Sequence, residues 1–438
     1  MTGRIDPRVV AALVNERTGI LRRVERRPVP AHLPRSFTLV RSVIGDSSAF
    51  SDWASDTAGA GYSFGDPGAA FAAAVGEGIE RYCAHLIPPG LPAARYQDLE
   101  GDAIDPAAVA LYDAGQYAQP GFPFAALDAG TITHWADGED LLDRHPVAVP
   151  AALVWPGHHR LADRPLAPVL QAGLATGATR QIAEQHALTE VVERDAMTLG
   201  WTGRAGLRPV EPPGWLARLA RGPHRRLEAR FLAFPNEFDV PVIGALLADP
   251  ETGRLCLGTG CRPGPLAAAL KALGEAFQLL MLLDEYDDPA GAFAAAATQP
   301  SSPLSPWRAD RAYLAQRRDD LRDVVDYGAH LQLALDPAYR KRFNDELAEA
   351  VADRPPWVLP NDDTGEAPDL APRLTERGHR PVSVDLTTPD VRAAGLTVVR
   401  VVVPGLYGNA AAGLPFLGGE RISRALNGRP HRALPLPH

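Results

Sequence analysis

The chain has 438 residues, 46% hydrophobic and 22% charged, with a formal net charge of −9. That balance describes a globular protein with apolar mass for a large core and excludes wholesale disorder and general affinity for nucleic acid. Three cysteines, Cys83, Cys256 and Cys261, have no zinc-type spacing and no even pairing, which excludes a disulfide framework and fits a reducing compartment.

The opening run, MTGRIDPRVVAALVNERTG, lacks the apolar stretch of a secretory signal, and no apolar run reaches membrane-spanning length, so a cytoplasmic protein away from any membrane is expected. Residues 1–60 read as short strands and turns, with a strand at 37–40. From 65 to 86 the pattern is helical until Pro88-Pro89-Gly90-Leu91-Pro92 breaks it. The stretch to 164 is rich in proline, glycine and histidine, with a strand within 145–155 interrupted at Pro150. A second helix is expected over 180–201, followed by paired strands at 230–234 and 240–247. A strand at 255–257 feeds Gly258-Thr259-Gly260 and a third helix over 266–286.

Residues 287–306 are small and proline-containing and read as a linker or lid, a mobile loop reaching to about 310. Helical patterns return at 311–326 and 337–353. The chain then gives a strand at 382–386, a helix from Pro389 and a strand at 396–403, a strand–helix–strand unit. The order of elements predicts an α/β or α+β architecture in one integrated domain, with 1–60 as its N-terminal segment and 61–438 as its body.

One charged cluster occurs twice, as Glu77-Gly78-Ile79-Glu80-Arg81 and as Glu190-Val191-Val192-Glu193-Arg194. Positions i, i+3 and i+4 share one helical face, so each copy sets two carboxylates and a guanidinium on one stripe, beside small residues such as Ala73, Ala74 and Ala84 in the first. One copy alone reads as a surface ion pair. Two copies, each preceded by a G-x-x-x-G turn (Gly61 to Gly65, Gly173 to Gly177), read as a repeated unit. A third, looser copy follows Gly258-Thr259-Gly260, with Glu275 and Gln278 again three apart. Carboxylates suit Mg²⁺ and arginines suit phosphate, so the set describes a magnesium–nucleotide cage shared between helices. A di-iron carboxylate site would need Glu-x-x-His. Of 44 basic residues only Lys271 and Lys341 are lysine and neither follows a glycine, so a GxxxxGK[ST] phosphate loop is excluded.

GEGIERYCA at 76–84, ALTEVVERDA at 187–196 and ALKALGEAFQ at 269–278 resemble, in order and spacing, the three ATP-binding motifs of the YcaO-domain family. Within it the chain looks most like the azoline-forming cyclodehydratases (thiazole/oxazole peptide maturases). The resemblance implies the YcaO fold and ATP and Mg²⁺ as cofactors. It implies a reaction in which a Cys, Ser or Thr side chain attacks the preceding amide, whose oxygen is phosphorylated and lost, giving a thiazoline or oxazoline in a ribosomally made peptide. By the same resemblance Glu77, Glu80, Glu190 and Glu193 bind metal, and Arg81, Arg194, Glu275 and Gln278 bind ATP. The family's proline-rich tail, which brings a terminal carboxylate to the active site, is matched over 430–438 by Leu434-Pro435-Leu436-Pro437-His438, making Pro435, Pro437 and His438 catalytic candidates. Ala73, Ala172 and Leu280 stand where the family commonly has serine, asparagine and arginine.

The partners implied are the precursor peptide, a separate leader-peptide-binding protein, a dehydrogenase of the same pathway and a second copy of the chain. Relatives making backbone thioamides or amidines are alternatives, as is a non-catalytic ATP-binding scaffold. Two further motifs compete. Gly61-Tyr62-Ser63-Phe64-Gly65 is a G-x-S-x-G with His431 and His438 downstream, and a serine hydrolase built on it is a remote alternative; its preceding residues are too small and polar for a nucleophile-elbow strand. Gly258-Thr259-Gly260 echoes a dinucleotide turn but has its third glycine late.

Overall fold

The computed structural model describes residues 7–46, 57–161, 164–351, 354–363 and 369–438. In chain order, α1 (Pro7–Leu13), β1 (Leu21–Arg26), β2 (Phe37–Ile44) and β3 (Ala58–Phe64) lead to α2 (Pro67–His85). Then come β4 (Ala93–Ala94), α3 (Ala114–Tyr117), β5 (Thr133–Asp140), β6 (Pro146–Pro150), β7 (Leu174–Gly177) and α4 (Arg180–Met197). Next are β8 (Arg208–Glu211), α5 (Gly214–Ala220), β9 (Glu228–Ala233), β10 (Val242–Asp249), β11 (Arg254–Cys261) and α6 (Pro265–Tyr286). After α7 (Ala292–Ala296), α8 (Tyr327–Leu335) and α9 (Pro337–Val351) come β12 (Trp357–Val358), α10 (Leu370–Glu376), β13 (Val382–Asp385), α11 (Pro389–Ala393), β14 (Thr397–Val402) and α12 (Glu420–Leu426).

The strands form three sheets, β1-β2-β3, β11-β10-β9-β8-β12 and β4-β5-β13-β14-β7 with β6 beside β5. Apart from the two-residue pairing of β12 with β8, every strand pairing among the described residues is antiparallel. This is an α+β form of the expected class. Each sheet carries one long helix: α2 lies on β2 and β3, α4 on β7 and β14, and α6 on β10 and β11. The largest core unites α4, α6 and the β8–β11 sheet around Trp201, Phe234 and Phe277, and a second lies between α2 and the β5–β13–β14 sheet around Val75, Ile79 and Val398.

Local chemistry explains the three helices. Asp66 caps α2 by accepting from Ala69 N at 3.1 Å, with Pro67 in the first turn. Thr179 caps α4 through Ile182 N at 3.3 Å. For α6 the cap is remote: Asp363 accepts from Leu266 N at 2.9 Å and Ala267 N at 2.6 Å. By length and composition α6 is apolar enough to cross a membrane, which departs from the sequence expectation. Its apolar residues serve the core, with Leu273, Phe277, Leu280 and Leu283 buried.

The glycine-rich runs ahead of the helices are strands rather than turns. Gly61 lies inside β3 and Gly258 inside β11, so the Gly258-Thr259-Gly260 run extends the strand instead of ending it. A Cβ on Gly61 would stand 2.1 Å from Ala70 O and 2.3 Å from Ala74 N; one on Gly258 would stand 2.2 Å from Ala272 O and 2.3 Å from Ala276 N. Glycine is required there because a helix backbone presses on the strand. Gly258→Ala is expected to lower stability by roughly 3 kcal/mol in urea denaturation, at the upper end for overpacking, because the obstacle is backbone. An unchanged midpoint would count against this packing.

The expected helix over 311–326 is absent. Arg311 and Leu321 adopt left-handed backbone (φ 53° and 55°), leaving only a short 3-10 turn at Leu314–Gln316, and the helix begins later at α8, capped by Asp326. The second expected helix stops at Met197 and continues as a wide turn through Thr202. The segment after α6 carries α7, whose Phe293 stacks on Tyr286 at 3.8 Å, and Ser305 N donates to the buried Gln332 at 2.8 Å. β13 and β14 pair antiparallel, since the five-residue α11 is too short for a parallel crossover.

Candidate active site

The three strand–helix units point at one another. In each, the first glutamate of the charged cluster accepts a backbone N–H from its own strand: Ala60 N to Glu77 at 2.8 Å, Gly173 N, beside β7, to Glu190 at 3.0 Å, and Thr259 N to Glu275 at 2.6 Å. The second glutamate reaches the strand of the next unit. Glu80 accepts from Thr176 N at 2.7 Å, while Glu193 accepts from Cys261 N at 2.7 Å and Thr259 Oγ1 at 2.8 Å. The third unit closes on the first, with the Tyr62 ring of β3 packed on Gly274 and its hydroxyl donating to Lys271 O at 3.2 Å. The result is a ring of three units with carboxylates on its inner side. The side chain of Gln278, half-buried on α6, makes no hydrogen bond to another described residue.

Each arginine lies over its own cluster. Arg81 donates to Glu77 at 3.1 Å and to the side chain of Gln171. Arg194 faces Glu193 at 3.6 Å, Glu190 at 3.8 Å and Glu275 at 3.9 Å and donates to Thr259 Oγ1 at 3.2 Å. Arg400 of β14 is buried and donates to the carbonyls of Leu153, Leu170 and Gln171 at 3.0–3.1 Å. It thereby fixes the loop that carries Gln171 and Gly173. Burial pushes its guanidinium down to about 10.

The two halves of the ring differ electrostatically. Burial, then the neighbouring Glu77 and Glu190, push the Glu80 carboxyl up to about 8, and burial also raises Glu190. Around Glu193 burial acts the same way but is outweighed by Lys271, whose Nζ lies 3.2 Å from it, and by Arg194, so that carboxyl is held low. Among the described residues Glu80 carries no ion pair, and with Glu77 and Glu190 it offers oxygen ligands that fit a magnesium ion, while Arg81 on Glu77 and Arg194 near Glu190 are placed for phosphate oxygens. Another trio, Asp140, Asp143 and His145, sits at the outer end of β5, where Arg380 already holds Asp140 and Asp102 at 3.0 Å; it forms an ion network.

The C-terminal segment runs into the same place. Its carbonyls accept from protein donors: Leu434 O from Trp201 Nε1, Pro435 O from Tyr339 OH and Pro437 O from Leu257 N, each at 2.7 Å. The last contact adds the tail to the free edge of β11. His438 then reaches the ring through its imidazole, with Nε2 2.6 Å from Arg194 Nη1 and Nδ1 3.0 Å from Leu257 O. Arginine only donates, so Nε2 accepts, the proton sits on Nδ1 and the ring is neutral. Burial and Arg194 lower its pKa accordingly.

The structure brings Glu77, Glu80, Arg81, Glu190, Glu193, Arg194 and Glu275 together, with Pro435 and Pro437 on the tail beside them, and it brings His438 to Arg194 by its imidazole, where the sequence expectation rested on the terminal carboxylate. Sequence reading missed Lys271, Gln171 and Arg400. Only Lys271 carried a signal: it is one of two lysines and stands four residues before Glu275 on the same helical stripe. The competing motifs are not built. Ser63 lies within β3 and donates to Asp66 O at 2.5 Å, without the strand-to-helix apex of a nucleophile elbow, and β11 pairs antiparallel, against a dinucleotide fold. Cys83 is buried beside Thr388, and burial pushes its thiol up to about 11.

The sequence profile of the family described as "YcaO cyclodehydratase, ATP- and Mg²⁺-binding" matches residues 62–407. A curated relative, an uncharacterized protein in the tfuA 3′ region of Rhizobium leguminosarum bv. trifolii, is 28% identical over 236 residues, 49% of this chain and 52% of that protein. Among solved structures, a heterocyclase in complex with substrate and cofactor shares a TM-score of 0.64 at 20% identity, over 92% of this chain and 53% of that one. The chain thus spans about half the length of each of these two. YcaO from Methanopyrus kandleri, bound with AMPPCP and Mg²⁺, gives 0.58 at 22% identity over 91% and 89%. The E. coli microcin synthetase McbBCD complex gives 0.56 at 11% over 87% and 88%. A profile match over most of the chain, on the fold that these structures share, makes this protein a member of the ATP- and Mg²⁺-binding YcaO cyclodehydratase family.

Proposed function

We propose that the chain is an ATP-dependent cyclodehydratase that closes thiazoline or oxazoline rings in the backbone of a ribosomally made precursor peptide, recruited by a separate leader-peptide-binding protein. The observation that carries this reading is the ring of three units, which concentrates carboxylates, Arg81 and Arg194 in one half-buried space with His438 at its edge. ATP with magnesium, when bound, supplies the phosphoryl group that turns an amide oxygen into a leaving group. Glu77, Glu80 and Glu190 would hold the metal, Arg81 and Arg194 the phosphate oxygens, and Glu275 and Gln278 the remaining nucleotide contacts.

Phosphoryl transfer mainly needs positioning and charge neutralisation, and the site provides both without a protein nucleophile. Gln171 orients Arg81, Arg400 holds Gln171, and the His438 imidazole holds Arg194. The stiff tail, fixed at three carbonyls, keeps that imidazole in place and puts an apolar pocket lined by Trp201, Tyr327 and His330 alongside. Incubating a candidate precursor peptide with the protein, its partner and ATP should give products lighter by one water per ring in mass spectrometry. Oxygen-to-sulfur exchange would mean a thioamide instead, and an unmodified peptide despite ATP binding would favour the scaffold reading.

A further inference from the structure

Glu80 and Glu193 occupy equivalent places in the first two units, yet their surroundings differ. Among the described residues Glu80 has a single hydrogen-bond donor, Thr176 N. Glu193 has Thr259 Oγ1, Cys261 N and, in addition, the Lys271 ammonium, which lies 3.4 Å from Oε1 and 3.2 Å from Oε2. The other neighbours of Nζ are also oxygens, Thr259 O at 3.1 Å and Glu275 Oε2 at 4.0 Å. Lys271 precedes Glu275 by four residues; the equivalent positions of the first and second units are Ala73 and His186, so only the third unit places a lysine or arginine four residues ahead of its first glutamate.

We propose that Lys271 is a built-in replacement for a metal ion: it fills, from within the chain, the oxygen-lined position between Glu193 and Glu275, and confines magnesium to the Glu77, Glu80 and Glu190 side. The inference rests on reading the site as a magnesium–nucleotide site. Together with Arg194, the tethered ammonium offsets the charge of Glu193 and Glu275 at every metal concentration. It also frees that half of the ring from competition between magnesium and other divalent ions. Without it, the buried Glu193, the half-buried Glu275 and the Thr259 carbonyl would face one another with Arg194 as the only cation left in ion-pair contact with them among the described residues, one charge short of balance, an arrangement that draws a hard cation.

The test counts bound metal directly. Mn²⁺, as a paramagnetic probe for Mg²⁺, is titrated by electron paramagnetic resonance in the presence of AMPPCP into the wild-type protein, Lys271→Met, Lys271→Ala and Lys271→Met/Glu193→Gln, with folding checked by circular dichroism. The exposed Lys341→Met serves as control. Either folded Lys271 variant is expected to bind one more equivalent than the wild type, the double variant to lose that equivalent, and the control to match the wild type. Equal, non-zero binding in the wild type and the Lys271 variants overturns the inference and leaves the magnesium–nucleotide reading intact. No bound manganese in any of them overturns both.

Discussion

Replacing Glu80 by glutamine is expected to lower kcat/KM for ATP-dependent peptide modification by roughly 10²- to 10³-fold, about 3–4 kcal/mol, the scale of losing one preorganised electrostatic contact at a reacting centre. Glutamine keeps the oxygen that accepts from Thr176 N at 2.7 Å, so the link between α2 and β7 survives. It removes only the charge. The melting temperature without nucleotide should therefore hold or rise, because a buried carboxyl crowded by Glu77 and Glu190 is no longer asked to ionise. The rise in melting temperature that magnesium and AMPPCP give the wild type should disappear. Turnover and ligand-induced stabilisation that both survive Glu80→Gln would remove Glu80 from the metal side of the site.

Deleting residues 434–438 should be the most damaging change to the folded state. Leu434 is fully buried, worth about 1.5–3 kcal/mol. The deletion also strips partners from the donors of Trp201 and Tyr339, which costs roughly 1–3 kcal/mol for each donor that stays buried. A loss on the order of 4 kcal/mol in urea denaturation is expected, together with activity. His438→Ala separates the two effects: the carbonyl anchors remain, Arg194 loses its imidazole acceptor, and activity should fall while stability changes little. If His438→Ala is as active as the wild type, the imidazole has no part in placing Arg194.

The charged clusters could be read because helical spacing converts sequence directly into a shared face, and because Asp66, Thr179 and the alanine-rich runs mark the helices locally. Gly61 and Gly258 were legible as important but not as strand residues, since a glycine needed for a helix to press on it looks the same as one needed for a turn. Arg400 was beyond reach: its partners are carbonyls 229–247 residues away, and carbonyls carry no side-chain signature. Residues 311–326 misled because Arg311 and Leu321 take left-handed backbone that their residue types do not favour. Arg311 is held there by bonds to Asp287 and to Thr252 O, and Leu321 by complete burial. Lys271 needed the fold, because its opposite charge, Glu193, is 78 residues upstream on another helix.

The ring of three units has a consequence for how the protein reaches its native state. Its closing contacts join residues 96, 66 and 209 positions apart, Thr176 with Glu80, Thr259 with Glu193, and Tyr62 with Lys271. Contacts of such separation form late, after the entropy of long loops has been overcome, and none of the three units holds a complete set of ligands alone. On the proposed assignment Glu77, Glu80 and Arg81 come from the first unit and Glu190 and Arg194 from the second, so nucleotide binding is tied to the late contact between them, and a chain with these two units still apart would have neither the metal nor the phosphate grip.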